Sequence, residues 1–527
     1  MFKQIFTKIT NIICSCKKNY SSLNVLYTDG QTIFISIVLS LYAFALTVFL
    51  TAPHFPIILI PFIFLFYWYC FSKIFMFCER LNLTSRSSDE EKINAWFVSF
   101  FVFVLYVLML CITGVEHSAD TIVQWNEVIT GHFSDWHPVI HTFSIYIFSK
   151  ILPQEWFVIV CFIAIFSLLC GWLVKTLQMF LFKRKIVFFI LAFLVFSPCS
   201  MFASRTLWKD SEFALAILYL SIAMINLWYS NGEWILRWKH LIPSVIVLVY
   251  AAFVRHNGIF FVVPFLIFLP FISKIRAVRL RLFLFSCVGF LCLSGYVVFR
   301  TYLITENIIT SNKHQIFSES VGLPMSMLSE AFVYHQEKIP HDAKNFLLKI
   351  ATYEKWKQCY DRDFNSVKFE TQPQSTSVFS EISPKEFFTL FIKTVIACPK
   401  ACITSFRRVS SLGWDPFLRT KVRLGHTDFA FLQEFMHKLG ISWIFFSPGF
   451  YVLLLIIFGT YSYLKTGLRA LFMFVPFVVY SYGTALLLTG FDHRFFFAII
   501  IASPCIVLTL IDSNRIYEKH TITGEKL

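Results

Sequence analysis

Carboxylates and imidazoles are the side chains that accept protons, orient hydroxyl groups and hold metal ions. Between Gly114 and Phe143 the chain reads GVEHSADTIVQWNEVITGHFSDWHPVIHTF, which carries Glu116, Asp120, Glu127 and Asp135 beside His117, His132, His137 and His141, and no Lys or Arg. The spacing predicts a helix from Ala119 with Asp120, Gln124 and Glu127 on one face and Ile122, Trp125 and Ile129 on the other, because steps of three and four residues return to the same side. Such a helix can dock its apolar face on a membrane while its carboxylates look into a cavity. His137 and His141 have the four-residue spacing of a helical metal pair, but Pro138 stands where a zinc protease needs its glutamate. The histidines read as structural or hydrogen-bonding groups, and the alternative is a divalent cation (Mg2+, Mn2+ or Zn2+) held between Asp120, Asp135 and His137.

Three further short segments combine charges of both signs or cations with histidine. They are Arg205, Lys209 and Asp210 in SPCSMFASRTLWKDSE, Arg255-His256-Asn257, and Asp492-His493-Arg494 in TGFDHRF. Guanidinium and ammonium groups balance charge on phosphate, so Arg205, Lys209, Arg255, His256, His493 and Arg494 are candidates to bind a phosphorylated lipid. Plainer roles exist for each segment. Asp120 could only favour a helix N-terminus and Asp210 only cap the helix after it. Arg205 and Lys209 could meet lipid headgroups, as could the Arg255-His256-Asn257 turn.

These segments sit between apolar runs that must position them. Of 527 residues 57% are hydrophobic and only 15% charged, and the mean hydropathy is +0.67, far from the balance of a soluble domain. Runs of spanning length recur from Thr32 onward, and they add up to about twelve transmembrane helices. The expected fold is an all-α polytopic membrane protein with a mostly helical outer domain.

Charge sets the orientation. The net charge of +15 comes mostly from short connections such as Lys183-Arg184-Lys185 and Lys274 to Arg281, which the positive-inside rule places in the cytoplasm. Residues 1–31 are then a cytoplasmic basic leader, and 32–299 an N-terminal membrane domain with an acidic outer loop at 114–155. Residues 300–440 form an outer, periplasmic domain, 441–511 the closing membrane helices, and 512–527 a cytoplasmic tail. Within the outer domain, Pro384 to Phe406 reads as an amphipathic helix packed on the membrane domain, interrupted by Lys393, Pro399 and Lys400. With this parity all four polar segments fall on one side. A charge near hydrocarbon costs about 2.5–3.5 kcal/mol on insertion scales, so charges that converge at helix ends are plausible site residues.

Several function classes drop out. No basic patch is interleaved with stacking aromatics, so no nucleic-acid partner is expected. No phosphate-cradling glycine loop and no nucleophile elbow occurs. The 14 cysteines are scattered through apolar runs and form neither a zinc set nor a disulfide framework. Asn82-Leu83-Thr84 matches the N-glycosylation pattern but falls on the side read as cytoplasmic.

Taken together, SADTIVQWNEVITGHFSDWHPVIHTF, SRTLWKD, RHNG and DHRF, with YEKWKQCYDRDF and ACPKACITSF in the outer domain, resemble the GT-C glycosyltransferases. These are multi-span enzymes that use polyprenyl-phosphate sugars, and the likeness is to a bacterial branch related to protein mannosyltransferase-like and lipid A aminoarabinose transferase-like enzymes. The resemblance extends loosely from Ala95 to the C-terminus. It implies a polyprenyl-phosphate sugar donor, an envelope glycan, lipid or protein as acceptor, and an active site on the periplasmic face of a bacterial inner membrane. It maps the essential acidic residue onto Asp120, a second acidic position onto Asp210 and the lipid-phosphate arginine onto Arg494, with Asp135 as a further catalytic candidate. Two spans precede the family's usual first one, and Trp136-His137-Pro138 stands where several relatives have an acidic residue before their proline. Direct displacement at the anomeric carbon would invert configuration. Two other readings share the lipid-phosphate substrate: a polysaccharide polymerase or ligase, and a lipid-linked oligosaccharide flippase or carrier without catalysis. A carrier holds its ionisable residues near the bilayer midplane in repeated halves, and no internal repeat is found.

Overall fold

Apolar residues without a polar period favour buried or lipid-facing helices, and these runs fold as helices throughout. A computed structural model describes Leu39, Tyr42, Gly490 and residues 60–81, 83–84, 92–311, 313–361, 363–417, 430–488 and 492–513. The leader, most of the expected first span, the connection at 85–91, Asn82 and the tail after residue 513 lie outside the described residues.

The membrane part contains α1 (Ile60–Arg80), α2 (Ala95–Thr113), α3 (Ala119–Thr130), α4 (Val139–Ser149), α5 (Glu155–Met179), α6 (Arg184–Phe196), α7 (Lys209–Tyr229), α8 (Trp238–Phe253), α9 (Ile259–Phe268) and α10 (Arg276–Thr305). The long polar region expected to lie outside, here termed the outer region, follows, built around α11 (Gly322–Tyr334), α12 (Pro384–Ala397) and α13 (Pro399–Ser410). The chain closes with α14 (Pro448–Thr466), α15 (Arg469–Leu486) and α16 (Phe497–Ile511).

Among the described residues seven helices are long and apolar enough to cross a membrane: α2, α5, α7, α10, α14, α15 and the stretch His493–Ile511 that ends in α16. Counting the bent pair Pro384–Gly413 as one span would make eight. By length and composition the protein is therefore an all-helical membrane protein, and the described residues hold fewer full spans than the twelve expected of the whole chain.

Three of the expected spans are shorter than a full crossing. The α6 run has 13 residues and stops at Ser197, because the residue before Pro198 is held extended. Pro243 lies inside the 16-residue α8, and Pro264 inside the 10-residue α9, which passes into a 3-10 turn at Leu269–Ile272.

The centre of the bundle is α7, whose apolar window is 89% buried, whereas α2 and α10 are 28% buried and line the outside. Their outward Trp96, Phe100, Leu108, Leu284, Leu291 and Val298 suit contact with lipid. Gly171 lets α5 lie against α2, since a Cβ there would collide with the Ala95 carbonyl and the Ser99 hydroxyl.

The outer region has its own apolar cluster, in which Phe332, Trp356, Phe364, Phe379 and Phe387 are at most 1% exposed. The Pro384 to Phe406 segment differs from the single helix expected on the membrane domain. Pro399 breaks it into α12 and α13, which meet at a bend of 110°. The buried face of α12 belongs to the outer cluster, whereas the C-terminal end of α13 and the turn after it reach the main core through Val409 and Leu412.

Candidate functional site

The acidic loop folds around α3. Ser118 caps its N-terminus, accepting from the Thr121 amide at 3.2 Å while Thr121 Oγ1 accepts from the Ser118 amide at 2.8 Å. Gln124 and Glu127 are buried, Ile122 and Ile129 exposed, and Trp125 half-buried, so the polar face of α3 turns inward and the apolar face outward. Because Ser118 supplies the cap, the Asp120 carboxylate is left for another partner. That partner is Arg494, whose Nη1 donates to Asp120 Oδ2 at 2.9 Å across 374 positions of sequence.

Around Arg494 three polar segments and α3 converge. Its Nε lies 2.9 Å from Asp492 Oδ2 and 3.8 Å from Asp210 Oδ2. Its guanidinium carbon sits 4.8 Å from the centre of the Trp208 ring, and Trp208 Nε1 in turn donates to the α3 cap, Ser118 Oγ, at 2.7 Å. Asp210 is fully buried and lies 2.5 Å from Arg255 Nη1. It follows Lys209 in the first turn of α7, whose N-cap position is Trp208, so its carboxylate serves an ion pair and not a cap. Arg255 also donates to the Phe495 carbonyl at 3.1 Å and to Tyr480 Oη at 3.3 Å, and Asn257 Nδ2 donates to Thr484 Oγ1 at 2.7 Å. The RHNG turn is thereby fixed to α15. Gly258 is required there by space, since a Cβ would run into the Ala251 carbonyl.

Lys209 completes the group, with Nζ 3.2 Å from His137 Nδ1. Three carboxylates, Asp120, Asp210 and Asp492, thus face three cations, Arg494, Arg255 and Lys209. Asp210 is closed off, while the Asp120 and Asp492 side chains keep 26% and 32% exposure, so the cluster opens along one edge. Burial alone would push the Asp120 carboxyl up, but Arg494, Lys209 and His137 hold it well below the usual carboxylate range. Burial and the Lys209 charge push His137 well below the ordinary imidazole value. His137 is therefore neutral at pH 7 and Asp120 ionised.

Other expected site residues have different places. Arg205 is 1% exposed and donates to the Thr113 and Gly114 carbonyls at 3.0 and 3.3 Å, with Glu116 3.7 Å away. It ties off carbonyls left open at the end of α2 and is not available for a lipid phosphate. Asp135 is 1% exposed and clamped by both nitrogens of the Arg300 fork, with Nε at 2.8 Å. Its amide donates to the Thr310 carbonyl, extending a two-residue parallel pairing of β1 (Phe133–Ser134) with β2 (Ile309–Thr310). Asp135 latches the acidic loop to the start of the outer region and is not a partner of Asp120. His493 is fully buried, and His256 is exposed with Nε2 3.5 Å from the Trp136 carbonyl.

The metal alternative fails on the same geometry. Among the described residues no three His, Cys, Asp or Glu side chains assemble into a metal site. Asp120 is committed to Arg494, Asp135 to Arg300, and His137 Nδ1 to a lysine ammonium.

Two carboxylates stood inside segments singled out from the sequence but had been given no role of their own. Glu212, 2% exposed, gathers His141 Nδ1 at 2.8 Å, Ser144 Oγ at 2.7 Å and the Tyr250 hydroxyl, while His141 Nε2 faces the Leu207 carbonyl at 3.0 Å. This network fastens α4 to α7 and α8 beneath the cluster. Asp492 is the third carboxylate on Arg494. Their only sequence signal was position, two residues after Asp210 and two before Arg494.

A family model described as a family of unknown function (DUF6020) matches residues 143–372, from α4 into the outer region. The match includes Lys209, Asp210, Arg255 and Arg300, and leaves out Asp120 and Arg494. No curated protein and no solved structure matches the chain.

Proposed function

We propose that this protein is a membrane glycosyltransferase of the GT-C kind, which moves a sugar from a polyprenyl-phosphate donor to an envelope glycan, lipid or protein on the non-cytoplasmic side. The observation that carries the reading is Arg494, which joins Asp120, Asp492 and Asp210 from three distant parts of the chain at one open edge. The GT-C resemblance, the bacterial inner membrane as location and twelve spans in all belong to the same proposal, the last with α1, α6, α8, α9 and the first apolar run from Thr32 counted as crossings beside the seven full-length helices.

In this reading Asp120 receives the acceptor hydroxyl. A carboxylate held ionised by three neighbouring positive or polar groups is a weak proton acceptor, so its first task is to orient the hydroxyl and stabilise positive charge while the proton passes to the departing lipid phosphate. Arg494 and Lys209 face the leaving lipid phosphate. The cluster is charge-balanced as it stands, so an incoming phosphate competes with Asp120 for Arg494 and frees the carboxylate for the acceptor. Attack from the face opposite the phosphate inverts the anomeric carbon. The charges sit at helix ends around α7 and α16, which favours an enzyme over a carrier with midplane charges. Mass spectrometry of envelope glycans with and without the protein, combined with leaflet-selective labelling of the lipid-linked donor, tests this: loss of one sugar with donor accumulating on the non-cytoplasmic leaflet is expected, loss with donor trapped on the cytoplasmic leaflet would favour a flippase, and an unchanged set of glycans would contradict the proposal.

A further inference from the structure

One helix of the outer region carries an apolar face that the fold leaves uncovered. On its inner side α12 buries Phe387, whose ring centre lies 5.7 Å from that of Phe317, 6.0 Å from Phe346 and 6.1 Å from Phe379. On its outer side Phe388, Ile392 and Ile396, spaced one turn apart, are 44%, 57% and 75% exposed, and Ile403 in α13 continues the stripe at 53%. Exposed Lys385, Lys393 and Lys400 flank it, with Lys393 2.6 Å from Asp342.

The position of this stripe along the chain is constrained. The Gly413 carbonyl, just past α13, accepts from Ser481 Oγ at 2.8 Å. Ser481 stands about 7 Å inside the end of α15 at Leu486, at 1.5 Å per residue. The 12 residues of α13 and the short 3-10 turn after them reach about 24 Å at full extension, so the bend before Pro399 lies at most about 17 Å beyond the end of α15 and less on any inclined path. That is within reach of the headgroup layer of a bilayer that α15 crosses.

We propose that α12 and the start of α13 rest on the outer leaflet of the membrane the chain itself spans. Phe388, Ile392, Ile396 and Ile403 enter the boundary between headgroups and acyl chains, and Lys385 and Lys400 meet anionic headgroups. Apolar residues at helical spacing rimmed by lysine are the pattern of an interfacial helix, and attachment to a membrane protein keeps the surface always near. A surface position fits better than a crossing, because the pair bends by 110° and its second face is committed to the outer cluster. A second copy packed stripe to stripe would bring the two lysine rims together, a repulsive arrangement. The proposal does not depend on the catalytic reading.

The test places a photoreactive benzoylphenylalanine at Ile392, and separately at exposed Lys357 as control, in full-length protein reconstituted in nanodiscs of phosphatidylethanolamine and phosphatidylglycerol. Lipid adducts several-fold more abundant at 392 than at 357 are expected. Equal yields, or adducts to a second copy of the chain, would overturn the proposal. Lys385→Glu with Lys400→Glu should lower the yield at 392; an unchanged yield would remove the headgroup contact from it.

Discussion

Arg255 is the residue whose loss should be felt most, and the reason is Asp210. The carboxylate is 1% exposed and the guanidinium 5% exposed, so each depends on the other for compensation out of water. Arg255→Met leaves Asp210 with Arg494 at 3.8 Å as its remaining ion pair, and strips the Phe495 carbonyl and Tyr480 hydroxyl of a donor. Breaking a buried pair from one side costs about 3–5 kcal/mol, whereas replacing both partners by apolar groups of similar volume is often close to neutral. At a few degrees per kcal/mol, Arg255→Met should lower the midpoint of thermal unfolding by on the order of 5–10 °C. The double variant Arg255→Met with Asp210→Leu should recover most of that loss, because no buried charge is then left alone. The assay is tryptophan fluorescence of detergent-purified protein during heating, with all variants in one buffer. A double variant that melts lower than Arg255→Met would refute the reasoning and assign both residues to packing alone.

Three further outcomes follow from the geometry. His137 is held neutral by burial and Lys209, so the unfolded chain binds more protons than the folded one below pH 6.5; stability from this group is complete above that value and falls as the solution is acidified towards its lowered folded value. His137→Gln should flatten the melting temperature between pH 7 and 5, and an unaltered slope would show that His137 carries no part of it. Gly258→Ala should cost about 1–3 kcal/mol through its collision with the Ala251 carbonyl, read as a lower melting temperature. Arg300→Gln should release the β1 and β2 pairing, seen as faster hydrogen exchange at the Asp135 amide with the α7 core unchanged.

How much of this was legible beforehand depended on whether the signal was local. The faces of α3 were readable because Asp120, Gln124 and Glu127 recur at helical steps, and the boundaries of α2 because its apolar run has sharp ends; α10 runs past its apolar stretch at both ends, taking in the basic Arg276, Arg279 and Arg281 that read as a connection. The pairing of Asp120 with Arg494 came from topology, which places loops on one side of a membrane without saying which side chains touch. Periodicity carries no information on partners 374 positions apart, so the clamp of Arg300 on Asp135 and the use of Arg205 at the end of α2 were out of reach. Both residues looked like site candidates because an arginine and an aspartate near a helix end have the same sequence signature whether they bind a ligand or another loop. The short α6, α8 and α9 were taken as full spans because their composition is as apolar as that of α5, and proline did not mark them, since Pro476 and Pro504 lie inside α15 and α16, which belong to full-length spans.

The most direct measurement uses Asp120→Asn, which keeps the shape of the side chain and removes its charge while Asp492 still holds Arg494. Purified wild-type and variant proteins would be placed in vesicles with a radiolabelled polyprenyl-phosphate sugar and an envelope extract as acceptor. The wild type should release polyprenyl phosphate and label the acceptor, and the folded variant should do neither. Label moved across the bilayer with the donor intact, or equal transfer by Asp120→Asn, would contradict a glycosyltransferase centred on Asp120 and Arg494.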